Sequence, residues 1–162
     1  LSFGRISNYG TQFADIYCLN EMERSLVLIK PDAMERGLAG EIISRLESKG
    51  LKIVAMKMLR MDKALAQRHY VVHKNKPFFN ELVDFITSGP VIAMVLQGDN
   101  AVQVIRQTMG ETDPAKALPG TIRGDLGGDV SHNLIHGSDS LESAESEVAL
   151  FFSAKEILSP DY

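Results

Sequence analysis

The sequence predicts an α+β fold: a four-stranded antiparallel sheet with helices packed on it and a long loop before the last strand. Three observations carry this. Segments with strand-like and helix-like apolar periods follow one another as strand, helix, strand, helices, strand, helix, strand, helix. The turns near Gly50 and at Ser88-Gly89-Pro90 are short. Residues 111 to 132, before the last strand, hold Pro114, Pro119 and Gly127-Gly128 without any period.

The first strand is Ser25-Leu26-Val27-Leu28-Ile29, ended by Lys30-Pro31-Asp32, which reads as a strand-to-loop signal. After Gly37, Leu38, Ile42, Ile43 and Leu46 fall at helical spacing, and Gly50 supplies the stop. Leu51 to Arg60 alternates as a strand with both faces partly covered. Asp62 caps a helix through about His73, and Pro77-Phe78-Phe79 starts another through about Thr87. Val91 to Leu96 is a buried strand. Asp99 or Asn100 then caps a helix to about Met109, which Gly110 ends. The connection from 111 to 132 exceeds the ~12 to 15 residues usual in compact domains and is therefore read as functional. Leu134-Ile135-His136 forms a short strand, and Asp139 with Glu142 makes a capping box for the last helix, which carries Leu141, Ala144, Val148 and Phe151 at helical spacing. The core order β-α-β-β-α-β fits the ferredoxin-like split motif, with helices on one face, better than a doubly wound parallel sheet.

A chain of 162 residues with 44% hydrophobic content can bury a core without disulfides. One domain is expected over residues 22–162. Residues 1–21 differ in texture, rich in Ser, Asn, Gly and Thr, and are expected to form a disordered or loosely packed extension that fits neither a secretory signal nor a transit peptide. Net charge is -4, so no positive field would hold the protein on nucleic acid or an anionic membrane, and neither is an expected partner. Cys18 is the only cysteine, which excludes an intrachain disulfide framework and makes the cytoplasm the default location. The longest apolar stretches are far shorter than the ~20 residues that cross a bilayer.

The chemistry centres on His136, within Asn133-Leu134-Ile135-His136-Gly137-Ser138-Asp139. A ring nitrogen accepts a phosphoryl group reversibly. Gly137 is expected to clear space beside the ring, Ser138 can donate or accept, and free amides of the next helix lie close by. Glu147, at the flank of the last helix's apolar stripe, is placed to hold one ring nitrogen protonated so that the other keeps a lone pair. A phosphate needs converging donors: Lys30, Arg106, Thr112 and Arg123 are the candidates, and the arginines can each meet two oxygens at once. His69, His73 and His132 stand in polar surroundings and are read as surface residues. The glycine clusters at 37–40 and 124–128 fit neither a P-loop nor a dinucleotide fingerprint.

Together these residues resemble the nucleoside diphosphate kinase family. The resemblance runs from about Glu23 to Leu158 and includes Leu28-Ile29-Lys30-Pro31-Asp32, Arg36-Gly37-Leu38, Lys76-Pro77-Phe78-Phe79, Ser88-Gly89-Pro90, the Gly120 to Asp125 segment and Asn133 to Ser140. It implies a ping-pong exchange in which a nucleoside triphosphate such as ATP gives its γ-phosphoryl to the δ nitrogen of His136, and a nucleoside diphosphate takes it back. It further implies that Lys30 and Asn133 hold the ribose hydroxyls, Arg106 and Thr112 the β-phosphate, and Arg123 the moving phosphoryl. Tyr70 would brace the phosphate end, Phe78 would stack on the base beside Leu82 and Val130, and Glu147 would orient the nucleophile. An aromatic face stacks on any base, so broad base tolerance is expected. Magnesium would arrive with the nucleotide, held by phosphate oxygens and water, with no protein ligand assigned. A homo-oligomer is implied, a hexamer favoured over a tetramer, with the 111–132 loop at subunit contacts.

The sequence departs from the family pattern at Val72, where an acidic residue is frequent, at Leu126, where an aromatic is frequent, and in the more flexible Gly127-Gly128-Asp129. A non-catalytic nucleotide-sensing module is disfavoured by the joint presence of His136 and Arg123. An all-helical histidine phosphotransfer domain is disfavoured by the strand-rich order.

Overall fold

The structure, a computed structural model, describes residues 22–159; the expectation for residues 1–21 lies outside the described residues. Four strands form one sheet in the order β2-β3-β1-β4. They are β1 (Glu23–Ile29), β2 (Lys52–Arg60), β3 (Pro90–Gly98) and β4 (Ile135–Gly137). Every neighbouring pair is antiparallel, with Val27 opposite Met94 and Gly137, and Leu28 opposite Ala93 and His136. This is the ferredoxin-like arrangement that the element order predicts.

Helices cover both faces of the sheet, where the sequence reading placed them on one. Val27, Ile29, Ile92, Met94 and Leu96 pack with α2 (Ala39–Glu47) through Ile42 and Leu46, and with α5 (Ala101–Met109) through Ile105 and Met109. Leu26, Leu28, Val91, Ala93 and Val95 pack on the other side with α3 (Lys63–His69), α4 (Phe79–Thr87) and α7 (Leu141–Phe151), through Ala66, Ile86 and Phe151. The unbroken apolar runs of β1 and β3 are the signature of strands covered twice. Edge strand β2 differs, because Met56 and Met58 are exposed and only part of that strand is covered.

Local chemistry explains most element ends. The Asp62 carboxylate accepts from Leu65 N at 2.7 Å and starts α3, which stops at His69 and gives way to a 3-10 turn over Val71–His73. Gly110, at φ +83, ends α5 in a conformation that side chains avoid.

Besides the early stop of α3, four features depart from the reading. Lys30-Pro31-Asp32 opens a short helix, α1 (Pro31–Glu35), because proline at the first helical position has no amide to satisfy. Neither Asp99 nor Asn100 caps α5 by its side chain; the Glu23 carboxylate accepts from Val102 N at 3.3 Å instead. The cap of α7 is Ser140 with Ser143, one residue beyond the Asp139–Glu142 pair. The 111–132 stretch contains α6 (Ile122–Leu126), whose Thr121 side chain accepts from Gly124 N at 3.0 Å.

Candidate active site

A cleft of about 570 Å³ opens where β1 ends and β4 begins. It is lined by Lys30, Phe78, Arg106, Thr112, Arg123, Asn133 and His136, all the residues singled out for catalysis and nucleotide binding. Tyr70, Leu82 and Val130 line it too.

His136 sits on β4 between buried Ile135 and Gly137, and strand alternation turns its ring to the face opposite the Ile135 side chain. Its Nε2 lies 3.1 Å from both carboxylate oxygens of Glu147 on α7. An ionised carboxylate only accepts, so Nε2 carries the proton and Nδ1 keeps the lone pair. Glu147 is itself held: Ser138 Oγ donates to its Oε2 at 2.6 Å, and Leu26 N donates to Ser138 Oγ at 3.2 Å. The ring orientation is thereby tied to the backbone of β1.

Gly137 does not serve to clear space beside the imidazole. A Cβ there would lie 2.7 Å from Met109 Sδ and 2.8 Å from Ile105 Cγ2, so glycine is required for the close approach of α5 to β4.

His69, read as a surface residue, is buried. Its ring meets His136 edge to face at 4.6 Å between centroids, and Phe151 at 5.5 Å. Neither ring nitrogen has a hydrogen-bond partner among the described residues, and the 3.9 Å to the Glu147 carboxylate is too long for a hydrogen bond. Burial, with His136 beside it, holds the His69 pKa well below the usual imidazole range and keeps the ring neutral. His73 also lines the cleft, in contact with Phe78 at 5.8 Å between ring centroids, whereas His132 is exposed as read and contacts Asp129 at 3.1 Å.

The turn into β4 is the strained part of the site. Leu134 is buried at φ +72, a left-handed conformation costing a branched side chain roughly 1–3 kcal/mol. Two bonds hold it: Leu134 N donates to Asp32 Oδ2 at 3.0 Å, and Lys30 N donates to Leu134 O at 2.9 Å. The twist brings the Asn133 side chain round to accept from Lys30 Nζ at 2.6 Å, while its own Nδ2 donates to the Thr112 and Val130 carbonyls. Lys30 is buried, and desolvation, reinforced by Arg123 and opposed by Asp32, lowers its pKa to about 8. Sequence reasoning missed Asp32 and Leu134 as site supports; the Lys-Pro-Asp signal marked the place but not the partner.

Arg123, on α6, is almost fully buried and donates to three backbone carbonyls: Asn133 at 3.2 Å, Gly110 at 3.1 Å and Ile135 at 2.7 Å. Burial, then the nearby Arg106 charge, lowers its pKa to about 10. Two guanidiniums whose repulsion is felt at this range, with a lysine close by, describe a site for a multiply charged anion. The cleft also has apolar lining, with Phe78 43% exposed and Leu82 and Val130 in the wall, while the Phe85 ring lies 5.9 Å from Lys30 Nζ. A flat aromatic face and cationic groups in one cleft match the two halves of a nucleotide.

Of the departures, Val72 lies on the exposed 3-10 turn and does not line this cleft. Leu126 packs partly buried against the core, and its carbonyl accepts from Arg36 at 2.6 Å. The loop after it closes on itself: Gly128 N donates to His132 O at 3.0 Å, and Asp129 accepts from Ser131 N and His132 N.

Comparison with known proteins bears on family and fold. Residues 23–157 match the family model described as nucleoside diphosphate kinase. The nucleoside diphosphate kinase of Archaeoglobus fulgidus is 60% identical over 137 residues, covering 85% of this chain and 91% of that protein. The one from Pyrococcus furiosus is 59% identical over 142 residues, covering 86% and 88%. Among solved structures, a halophilic nucleoside diphosphate kinase from Halobacterium salinarum, in complex with CDP, superimposes with a TM-score of 0.84 at 54% identity, over 87% of this chain and 94% of that one. By family model, by identity and by fold, this chain belongs to the nucleoside diphosphate kinase family.

Proposed function

We propose that His136 carries the phosphoryl group in the nucleoside diphosphate kinase reaction of this chain. That reaction moves the γ-phosphoryl of a nucleoside triphosphate to a nucleoside diphosphate. In the first half, the Nδ1 lone pair of His136 forms a bond to the γ-phosphorus as the bond to the β,γ-bridging oxygen breaks, and the diphosphate leaves. In the second half, a terminal oxygen of another diphosphate attacks the same phosphorus and frees Nδ1. The observation that carries this reading is the 3.1 Å contact of Nε2 with Glu147, which commits one nitrogen and leaves the other with its lone pair.

The remaining roles are those that the family resemblance implies, and the residues that carry them all line the cleft. Arg123, locked by three carbonyls, meets charge on the moving phosphoryl without reorganising, the condition under which such donors are most effective. Arg106 and Thr112 hold the β-phosphate. Lys30 and Asn133, already bonded at 2.6 Å, hold the ribose hydroxyls, and Tyr70 braces the phosphate end. Phe78 stacks on the base, which favours broad base tolerance.

Magnesium fits as a companion of the nucleotide rather than a resident ion. It prefers oxygen and keeps several waters, while the one His/Cys/Asp/Glu cluster close enough to hold an ion, among the described residues, is rich in imidazole. When bound it would neutralise developing phosphate charge. We read residues 22–162 as one domain and the protein as a cytoplasmic homo-oligomer, a hexamer before a tetramer. The exposed Met56 and Met58 on edge strand β2 support assembly. Among the described residues, no helix is long and apolar enough to cross a membrane.

Incubation with γ-labelled ATP followed by a GDP chase tests the reading. Label should reside on protein in an acid-labile, base-stable bond, leave on addition of GDP, and be absent from His136→Gln. Label that survives acid would place phosphorus on another acceptor.

A further inference from the structure

A second cleft, the rear cleft, of about 550 Å³, adjoins the first at His136 and is lined by α3, the 3-10 turn after it and α7. His69, His136 and Glu147 line it, whereas the proposed phosphate and base contacts Lys30, Phe78, Arg123 and Asn133 do not. Tyr70, His73 and Asp139 line both clefts together with His136, so the His136 ring stands where the nucleotide cleft and this rear cleft meet.

One ligand atom from each of His69, His136 and Glu147 lies within 4.8 Å of the others. Two of these separations are 3.1 Å, from His136 Nε2 to Glu147, and 3.9 Å, from His69 Nδ1 to Glu147 Oε1. Zinc bonds of about 2.0–2.2 Å to nitrogen and oxygen place tetrahedral ligands roughly 3.3–3.5 Å apart, so small side-chain rotations close the triangle. Two imidazoles and one carboxylate with an open fourth position form a recurrent zinc ligand set. The His69 side chain is 1% exposed, and both of its nitrogens lack a partner among the described residues, an arrangement its packing role does not call for. Glu147 can keep Oε2 on Ser138, at 2.6 Å, while Oε1 turns to an ion, so the carboxylate retains its orienting partner.

We propose that the rear cleft is an inhibitory site for a divalent transition ion of the zinc class, bound by His69, Glu147 and Nε2 of His136. The consequence for the nucleophile follows from proton placement. An ion on Nε2 takes that nitrogen's lone pair, and the proton that Nε2 carried passes through solvent to Nδ1. In the neutral metal-bound ring Nδ1 then carries the proton and has no lone pair for phosphorus. The site differs from that of nucleotide-borne magnesium in position, ligand type and effect, since magnesium favours oxygen ligands.

The test uses the intact, nucleotide-free assembly and cobalt(II) as the spectroscopic probe, so the readout does not depend on phosphotransfer. Titration should give about one cobalt per chain, with visible ligand-field bands of a low-coordinate N/O site, abolished by added zinc. His69→Gln should weaken binding at least tenfold, and His132→Ala, which removes the exposed histidine paired with Asp129, should leave it unchanged. X-ray absorption on the unaltered chain with one equivalent of zinc guards against a folding defect in the variant, and should show two imidazole nitrogens. Zinc added before labelled ATP should also slow formation of the phosphoenzyme. Absence of imidazole scattering, full-strength binding in His69→Gln, or loss of binding in His132→Ala would each overturn the proposal. If His136 proved not to carry phosphorus, the binding results would stand and only the inhibition would be lost.

Discussion

Both carboxylate oxygens of Glu147 lie 3.1 Å from Nε2 of His136, and one of them also accepts from Ser138 at 2.6 Å. The tautomer of His136 is therefore set by a group eleven residues further along the chain, on a helix that packs against β1, the strand paired with β4.

Glu147→Ala removes the group that holds the proton on Nε2 and leaves the ring free to rotate. Turnover should fall by about 10- to 100-fold, the usual effect of losing an orienting partner. Ser138→Ala should have a smaller effect in the same direction. Steady-state rates at saturating nucleotide check this, and an unchanged rate in Glu147→Ala would remove the orienting role.

Arg123 is placed by three carbonyls in different directions, a geometry that a lysine ammonium on a flexible stem does not reproduce. Arg123→Lys should therefore behave almost like Arg123→Ala. Both should lose on the order of 10³-fold in kcat, as when a preorganised arginine is removed from phosphoryl transfer. Presteady-state formation of phosphoenzyme is the measurement, and near-normal rates in Arg123→Lys would show that charge alone suffices.

Phe78, 43% exposed in the cleft lining, is available for stacking. Phe78→Ala should raise KM by roughly 10- to 100-fold for purine and pyrimidine nucleotides alike, from a stacking contribution of about 1–3 kcal/mol. A large effect on one base class only would mean that the cleft reads base edges.

Lys30 has a signature in the pH dependence of stability. Its folded pKa of about 8 lies below its ordinary 10.5. Between those values the unfolded chain binds the proton that the folded chain has released, so this group's contribution to stability rises with pH across that window. Below about pH 8 the cost of burying the cation is fully present. Relative to Lys30→Met, the parent should gain on the order of 2–3 kcal/mol between pH 7 and pH 10.5. Urea denaturation of both proteins across that range checks the sign, and a constant difference would contradict it.

Much of this was legible in the sequence because the signals are local. Asp62 caps α3, Gly50 and Gly110 adopt positive φ where the helices stop, and the heptad around His136 lies at the mouth of the cleft. What escaped is fixed by partners distant in the chain. His69 has polar neighbours in sequence, and only the fold brings His136 and Phe151 against its ring. The α5 amide is capped by Glu23, 79 residues away, which no nearest-neighbour rule anticipates. Leu134 adopts φ +72 although its side chain disfavours it, because Asp32 and Lys30 hold the backbone from another strand end. The 111–132 stretch hides α6 because a five-residue helix is too short to display a period.

The most direct test of the central claim is to identify which nitrogen of His136 carries phosphorus. The phosphoenzyme, formed with a nucleoside triphosphate and freed of nucleotide, is examined by phosphorus NMR and, after alkaline hydrolysis, by chromatography against both phosphohistidine isomers. The geometry predicts the Nδ1 isomer, discharged by added diphosphate. Phosphorus on Nε2, the nitrogen that faces Glu147, would contradict the account.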